Sequence, residues 1–96
     1  MSFARFSSDF LMDTFTLVDN LFINEHLPYC DEKQIKVYLY GLYLCSNPSK
    51  TNTVEELCAR LDMTESEILS AYGYFEDMGL VQILSKQPLE VQYLSL

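Results

Sequence analysis

Two helix-start signatures sit close together in the stretch TVEELCARLDMTESEILSAYGYFEDMGL. Thr53 is followed three positions on by Glu56, and Thr64 three positions on by Glu67. That spacing is a capping box: the hydroxyl takes a free N–H of the first turn and the carboxylate returns to the cap's own N–H. After Thr53, Val54, Leu57, Cys58 and Leu61 recur at i, i+3, i+4 and i+7, one face of a helix. After Thr64, Ile68, Ala71, Tyr72, Phe75 and Met78 make an inner face with Leu69 on its flank, and Gly79 stands where a helix ends. Two short amphipathic helices with so little chain between them must cross and bury their faces together. The pattern predicts a helix-turn-helix.

A third helix is expected upstream. Asp31 with Gln34 makes another capping box, and EKQIKVYLYGLYLCSN follows it. This helix is apolar nearly all round from Val37 to Cys45. Ile35, Tyr38, Leu39, Leu42 and Cys45 are expected to form the inward stripe, leaving Val37, Tyr40 and Leu44 to point elsewhere. A helix apolar on every side must be covered on every side. Val37, Tyr40 and Leu44 are therefore candidates for a self-association surface. NPSKTN (47–52) is turn-rich and reads as a loop. LVQIL (80–84) and LEVQYL (89–94) alternate as strands, with SKQP as the turn between them. The order helix, helix, helix, hairpin is that of a winged helix. The expected fold is mainly α with a small β-hairpin: a winged helix-turn-helix with an extra N-terminal strand and helix.

Residues 1–13 read as an N-terminal arm, and 14–96 as the winged-helix domain. Phe3, Phe6 and Phe10 recur at i, i+3 and i+7, which would align them on one helical face and make the arm interface-forming. TFTLV (14–18) favours a short strand. Asp19 or Asn20 can cap a short helix, LFINEHL, ended by Pro28.

The charge balance limits function. Six basic residues stand against fourteen acidic ones, for a net charge of −8. Proteins grip DNA largely by neutralising phosphates with Lys and Arg. Here the cations are scattered, and only Lys33 and Lys36 fall one helical turn apart. The outer face of the second helix of the pair offers Ser66, Ser70, Gly73, Tyr74 and Asp77, with no Arg, Lys, Asn or Gln to read base edges. Ser66, Ser70, Tyr74 and Asp77 are thus candidates to face a protein partner. Glu76 and Asp77 lie at a helix C-terminus, where the helix dipole disfavours them. Cys30, Cys45 and Cys58 have no CxxC or Cys/His spacing, so reduced thiols and no metal are expected. The single His26 lacks catalytic company. No phosphate loop, nucleophile elbow or metalloprotease motif occurs, and neither enzymatic activity nor a cofactor is expected. No apolar run reaches the roughly 18 residues of a membrane span. No signal-peptide pattern opens the chain, so a cytoplasmic protein is the default.

FTLVDNLFINEHLPYC, then KVYLYGLYLC, then VEELCARLDMTESEILSAYGYFEDMGLVQI resembles the N-terminal domain of the bacterial DnaD family over residues 14–94. These are primosomal replication-initiation proteins that act in helicase loading, with relatives among phage replication proteins. LFINEHLP running into KVYLY is the more distinctive half, because the helix-turn-helix half occurs in many winged-helix proteins. The resemblance implies an oligomerising scaffold, dimeric or tetrameric, that meets other replication-initiation proteins. It implies that DNA binding belongs to a C-terminal domain with its own Tyr/Ile/Trp motif. That domain is not in this sequence, which has no Trp and stops at Leu96, so a longer parent protein is expected. The alternative is a DNA-binding winged-helix transcriptional regulator.

Overall fold

In the computed structural model, residues 3–7, 15–47 and 50–96 are described. The chain runs through a π-helical turn (Phe22–His26) and a 3-10 turn (Leu27–Tyr29) into α1 (Glu32–Ser46), α2 (Val54–Leu61) and α3 (Glu65–Asp77). An antiparallel hairpin follows, β1 (Val81–Lys86) and β2 (Leu89–Tyr93). The protein is mainly helical with one small two-stranded sheet among the described residues.

The expected caps are present, with one difference. Asp31 and Gln34 exchange bonds of 2.8 and 2.9 Å at the start of α1. Thr64 and Glu67 do the same at α3, at 3.1 and 2.9 Å. At α2 only half the box forms. Thr53 accepts the Glu56 N–H at 3.2 Å, but the Glu56 carboxylate turns to Arg60, 2.9 Å away. A guanidinium at i+4 competes successfully with a neutral N–H for that carboxylate.

α2 ends on Asp62 in the left-handed region (φ 53°), and Met63 donates back to the Cys58 carbonyl at 3.1 Å. α3 ends in a Schellman motif. Gly79 (φ 80°) donates to Glu76 O at 3.0 Å and Leu80 to Phe75 O at 2.9 Å. Met78 consequently leaves the inner face and is exposed, against the expectation that it would be buried.

The hairpin pairs Val81 with Tyr93 and Ile83 with Val91, then steps across a bulge so that Ser85 meets Glu90. Leu84 is the extra residue and is exposed. β1 reaches Lys86, so the turn is shorter than SKQP and consists of Gln87 and Pro88. Leu94 donates to the Leu80 carbonyl at 3.0 Å and closes the open end.

α1 faces the core with a different stripe from the one expected. Val37, Tyr38, Gly41 and Leu44 are buried, while Ile35, Leu39 and Leu42 are half-buried and Cys45 is exposed. The reason lies at Gly41. A Cβ there would come within 2.2 Å of the hydroxyls of both Tyr72 and Tyr93. The helix is approached most closely where it has no side chain, and the turns around that gap face inward. Tyr93 donates to the Tyr38 carbonyl at 2.8 Å, and the Tyr72 and Tyr93 hydroxyls lie 2.9 Å apart. Since the single proton of Tyr93 goes to the carbonyl, Tyr72 donates to Tyr93. Burial pushes the Tyr72 phenol up to about 12 and that of Tyr93 well above its ordinary value, so both stay protonated.

Upstream, TFTLV forms no strand in its described part, residues 15–18, because the only sheet among the described residues is the hairpin. Asp19 accepts the Leu21 N–H at 2.7 Å, as a cap should. The short helix it starts is of π type, with the Leu27 N–H reaching Phe22 O. It ends at His26, with Leu27 as its cap just before Pro28. Proline lacks an N–H that the first turn of a 3-10 helix has no use for, so the chain continues as the 3-10 turn up to Cys30. Phe22 is the anchor, fully buried and stacked on Tyr38 with ring centroids 4.1 Å apart.

Two alanine substitutions should have opposite signs. Gly41→Ala replaces glycine by the better helix former, yet is expected to lose roughly 1–3 kcal/mol through overpacking against the two tyrosines. Gly73→Ala on α3 meets nothing within 4 Å and should gain about 0.5–1 kcal/mol. Urea denaturation of both variants checks the pair. Acid titration tests the cap of α3. Lys33 of α1 bridges to Glu67 and, with the Thr64 N–H, lowers the Glu67 carboxyl to about 2. A carboxyl whose folded pKa lies below its unfolded value of about 4.3 stabilises above that value, and the effect fades as pH falls through about 2. Glu67→Gln keeps the capping geometry and removes the charge. Its stability gap to the wild type should be constant above about pH 5 and close between about pH 4 and pH 2. A gap of constant size down to pH 2 would contradict this.

Candidate functional site

The candidate surface residues fall into three groups, and the structure treats them differently. Val37 (0% exposed) and Leu44 (2%) lie in the chain's own core. They are not available to a second subunit, because the turn of α1 that carries Gly41 brings them inward with it. Of that trio only Tyr40 keeps an accessible edge. It is half-buried, with its ring 5.4 Å from that of Tyr43, and it lines a shallow depression with Lys50, Glu56 and Arg60.

The arm is the second group. Phe3 and Phe6 are exposed, and residues 3–7 adopt no helix, so the described part of the arm does not show the aligned aromatic face. Phe10 lies outside the described residues.

The outer face of α3 is the third group. Ser66, Ser70 and Asp77 are exposed. Tyr74 is half-buried, its ring edge-on to Phe75 at 5.3 Å. The face is small and flat at Gly73; α3 itself carries no cation there, and Ser66 and Ser70 border clefts with Lys86 and Lys33. Glu76 is not part of it in a functional sense. Its carboxylate accepts the Ile83 N–H of β1 at 2.8 Å, which ties the hairpin to the end of α3. That bond explains a charge placed against the helix dipole without any role for a partner.

The basic residues of the helices are also engaged. Lys33 pairs with Glu67, Lys36 with Glu32 at 3.0 Å and Arg60 with Glu56. Lys33 and Lys36, the only two cations a turn apart, are therefore both paired with carboxylates rather than offered together to a phosphate. Lys86 is exposed at the tip of β1, beside a cleft it shares with Glu65, Ser66 and Leu69. That cleft between α3 and the hairpin brings one carboxylate, Glu65, and one cation, Lys86, together.

A surface that helical periodicity does not single out lies upstream of α1. Leu17 is 86% exposed and Tyr29 79%, with Leu21 and Ile23 close to half exposed. The π-helical turn buries Phe22 and thereby turns its neighbours Leu21 and Ile23 to the outside. In a helix the neighbours of a buried residue lie about 100° to either side of it, so a stripe drawn through Phe22 leaves Leu21 and Ile23 off its axis. Between positions 15 and 29 the carboxylates are only Asp19 and Glu25, whereas α2, α3 and their turns carry Glu55, Glu56, Asp62, Glu65, Glu67, Glu76 and Asp77.

Partial burial pushes the Cys30, Cys45 and Cys58 thiols up, which keeps them protonated and poor nucleophiles. Among the described residues no group of His, Cys, Asp and Glu could hold a metal ion, and no helix is long and apolar enough to cross a membrane. Comparison with family models, with curated proteins and with solved structures finds no match to this chain.

Proposed function

We propose that the chain is a self-associating protein–protein interaction module, built as a winged helix, that serves as a cytoplasmic scaffold in bacterial or phage DNA replication initiation. The order of three helices and a hairpin supports the winged-helix reading, and the resemblance of residues 14–94 to DnaD-family N-terminal domains supports the replication role. The observation that carries self-association is the exposed apolar segment with Leu17, Leu21, Ile23 and Tyr29. Large apolar residues left this exposed within one short segment are candidates for a protein interface. Copies of a chain with net charge −8 repel one another, so they meet best where carboxylates are fewest. The 15–29 segment, with only Asp19 and Glu25, carries fewer carboxylates than α2 and α3 with their turns. The outer face of α3, with Ser66, Ser70, Tyr74 and Asp77, is left for another replication-initiation protein. It is ill suited to a phosphate backbone.

In this mechanism the module displays several copies of a separate DNA-binding domain. Linking weak binders raises their effective concentration and so their avidity, with no new contact. No residue constellation supports an enzymatic role.

Sedimentation over a concentration series should show dimers or tetramers. Leu17→Glu and Ile23→Glu should each weaken association about tenfold or more, from lost apolar burial and added repulsion. A wild type that stays monomeric at high concentration would remove the proposal. Titration with duplex DNA over a salt series should show weak binding. Tight binding with a steep salt slope would instead favour the DNA-binding regulator.

A further inference from the structure

Lys50 and Arg60, which no helical spacing links in the sequence, come together at one shallow depression. Tyr40 and Tyr43 reach it from α1, Lys50 and Thr51 from the loop, and Glu56 and Arg60 from α2. Two cations face one carboxylate there. The cleft beside Lys86 also holds Glu65, and the one beside Lys33 holds Asp31 and Glu67. The groove lined by Leu44, Leu84 and Glu90 has no cation. In a chain of net charge −8, a depression whose cations outnumber its carboxylates is where an anion is least repelled.

The groups around it are donors. Glu56 takes the Nε–H of Arg60 at 2.9 Å, and the fork of Nη groups remains to donate. Lys50 is exposed and makes no ion pair among the described residues. Tyr40, Tyr43 and Thr51 add hydroxyls. Glu56 foremost, and after it the Tyr40 and Tyr43 phenols, push the Arg60 guanidinium above its ordinary value, so both phenols lie within its electrostatic reach. The carbonyls at the end of α1, which would repel an anion, are taken: Ser46 donates to Leu42 O at 2.8 Å, and Asn47 to Tyr43 O at 2.7 Å and Leu44 O at 3.4 Å.

Size and donor number narrow the ligand. The space is about 220 Å³, below the roughly 300–1,000 Å³ of sites that take up a whole ligand. It suits one charged group. The two oxygens of a carboxylate would leave part of the donor set unused. A phosphate monoester brings three acceptor oxygens and a charge of about −1.5 to −2 at neutral pH. A nucleic-acid strand would bring a whole row of charges against an acidic chain.

We propose that the depression formed by Tyr40, Tyr43, Lys50, Thr51 and Arg60 binds a phosphate monoester, carried by a phosphorylated side chain or by a nucleotide. It includes no residue of the 15–29 segment, and either reading can hold without the other.

The test is a titration of the isotope-labelled full chain at matched ionic strength, followed by amide NMR shifts. The probes are inorganic phosphate, phenyl phosphate, thymidine 5′-monophosphate and benzoate, with a single-stranded oligonucleotide lacking terminal phosphate. Saturable shifts at Tyr43, Lys50, Thr51 and Arg60 are expected with the three phosphates and weaker ones with benzoate. Tighter phenyl phosphate points to a phosphorylated side chain and tighter thymidine 5′-monophosphate to a nucleotide; both fit the proposal. Phenyl phosphate should bind less as pH falls below about 6, where the ester loses its second charge. Arg60→Gln and Lys50→Gln, both at exposed positions, should each weaken it at least about threefold. Lys36→Gln, outside the depression, should leave it unchanged. The proposal is overturned if the phosphates shift none of these amides or if benzoate binds as tightly. It is equally overturned if Lys36→Gln costs as much as Lys50→Gln or if the oligonucleotide binds these residues more tightly than the monoesters do.

Discussion

The Tyr93 hydroxyl reaches the Tyr38 carbonyl at 2.8 Å across the gap left by Gly41, and the rest of the fold is arranged around that bond. It links the last strand to the first long helix, and the Tyr72 hydroxyl brings α3 into the same contact. An isolated two-stranded hairpin is marginal in water. Here it is held by this bond, by Glu76 on the Ile83 N–H and by the burial of Leu80 and Val81. The same contact decides which way α1 faces. Because the tyrosines need the space at Gly41, Val37 and Leu44 turn into the core and Leu39 and Leu42 are left at its margin.

The carboxylates divide into those that build the fold and those that remain outside. Asp31 and Glu67 cap helices, Glu56 holds Arg60, and Glu76 secures the hairpin. Once these are engaged, Glu55, Asp62, Glu65 and Asp77 still give the helix-turn-helix a negative surface. The inner faces of α2 and α3 are packed, and their outer faces carry these carboxylates. The apolar surface lies at the other end of the sequence, on the segment that enters α1. The proposed function uses this division, with one region for like copies and one for a different protein.

Much of this is legible in the residues. The capping boxes at Asp31 and Thr64, the helix stop at Gly79, the inner faces of α2 and α3 and the two strands are local signals, and local signals survive folding. Other features are not legible, for reasons that can be named. The face of α1 is set by a glycine, which has no side chain for a periodicity to count. Glu56 has two possible partners, and spacing alone does not say that Arg60 wins. Leu21 and Ile23 flank the buried Phe22, and Leu17 and Tyr29 lie outside that short helix, so no single helical stripe marks the four as exposed. The arm residues Phe3 and Phe6 carry a helical spacing that the described residues 3–7 do not adopt.

The claim that copies meet through the segment before α1, with α3 left free, is tested most directly by hydrogen exchange at several protein concentrations. The account predicts that amides between positions 17 and 29 gain protection as concentration rises, while exchange along the outer face of α3, from Ser66 to Asp77, stays the same. Concentration-dependent protection centred on α3, or none anywhere, would contradict it.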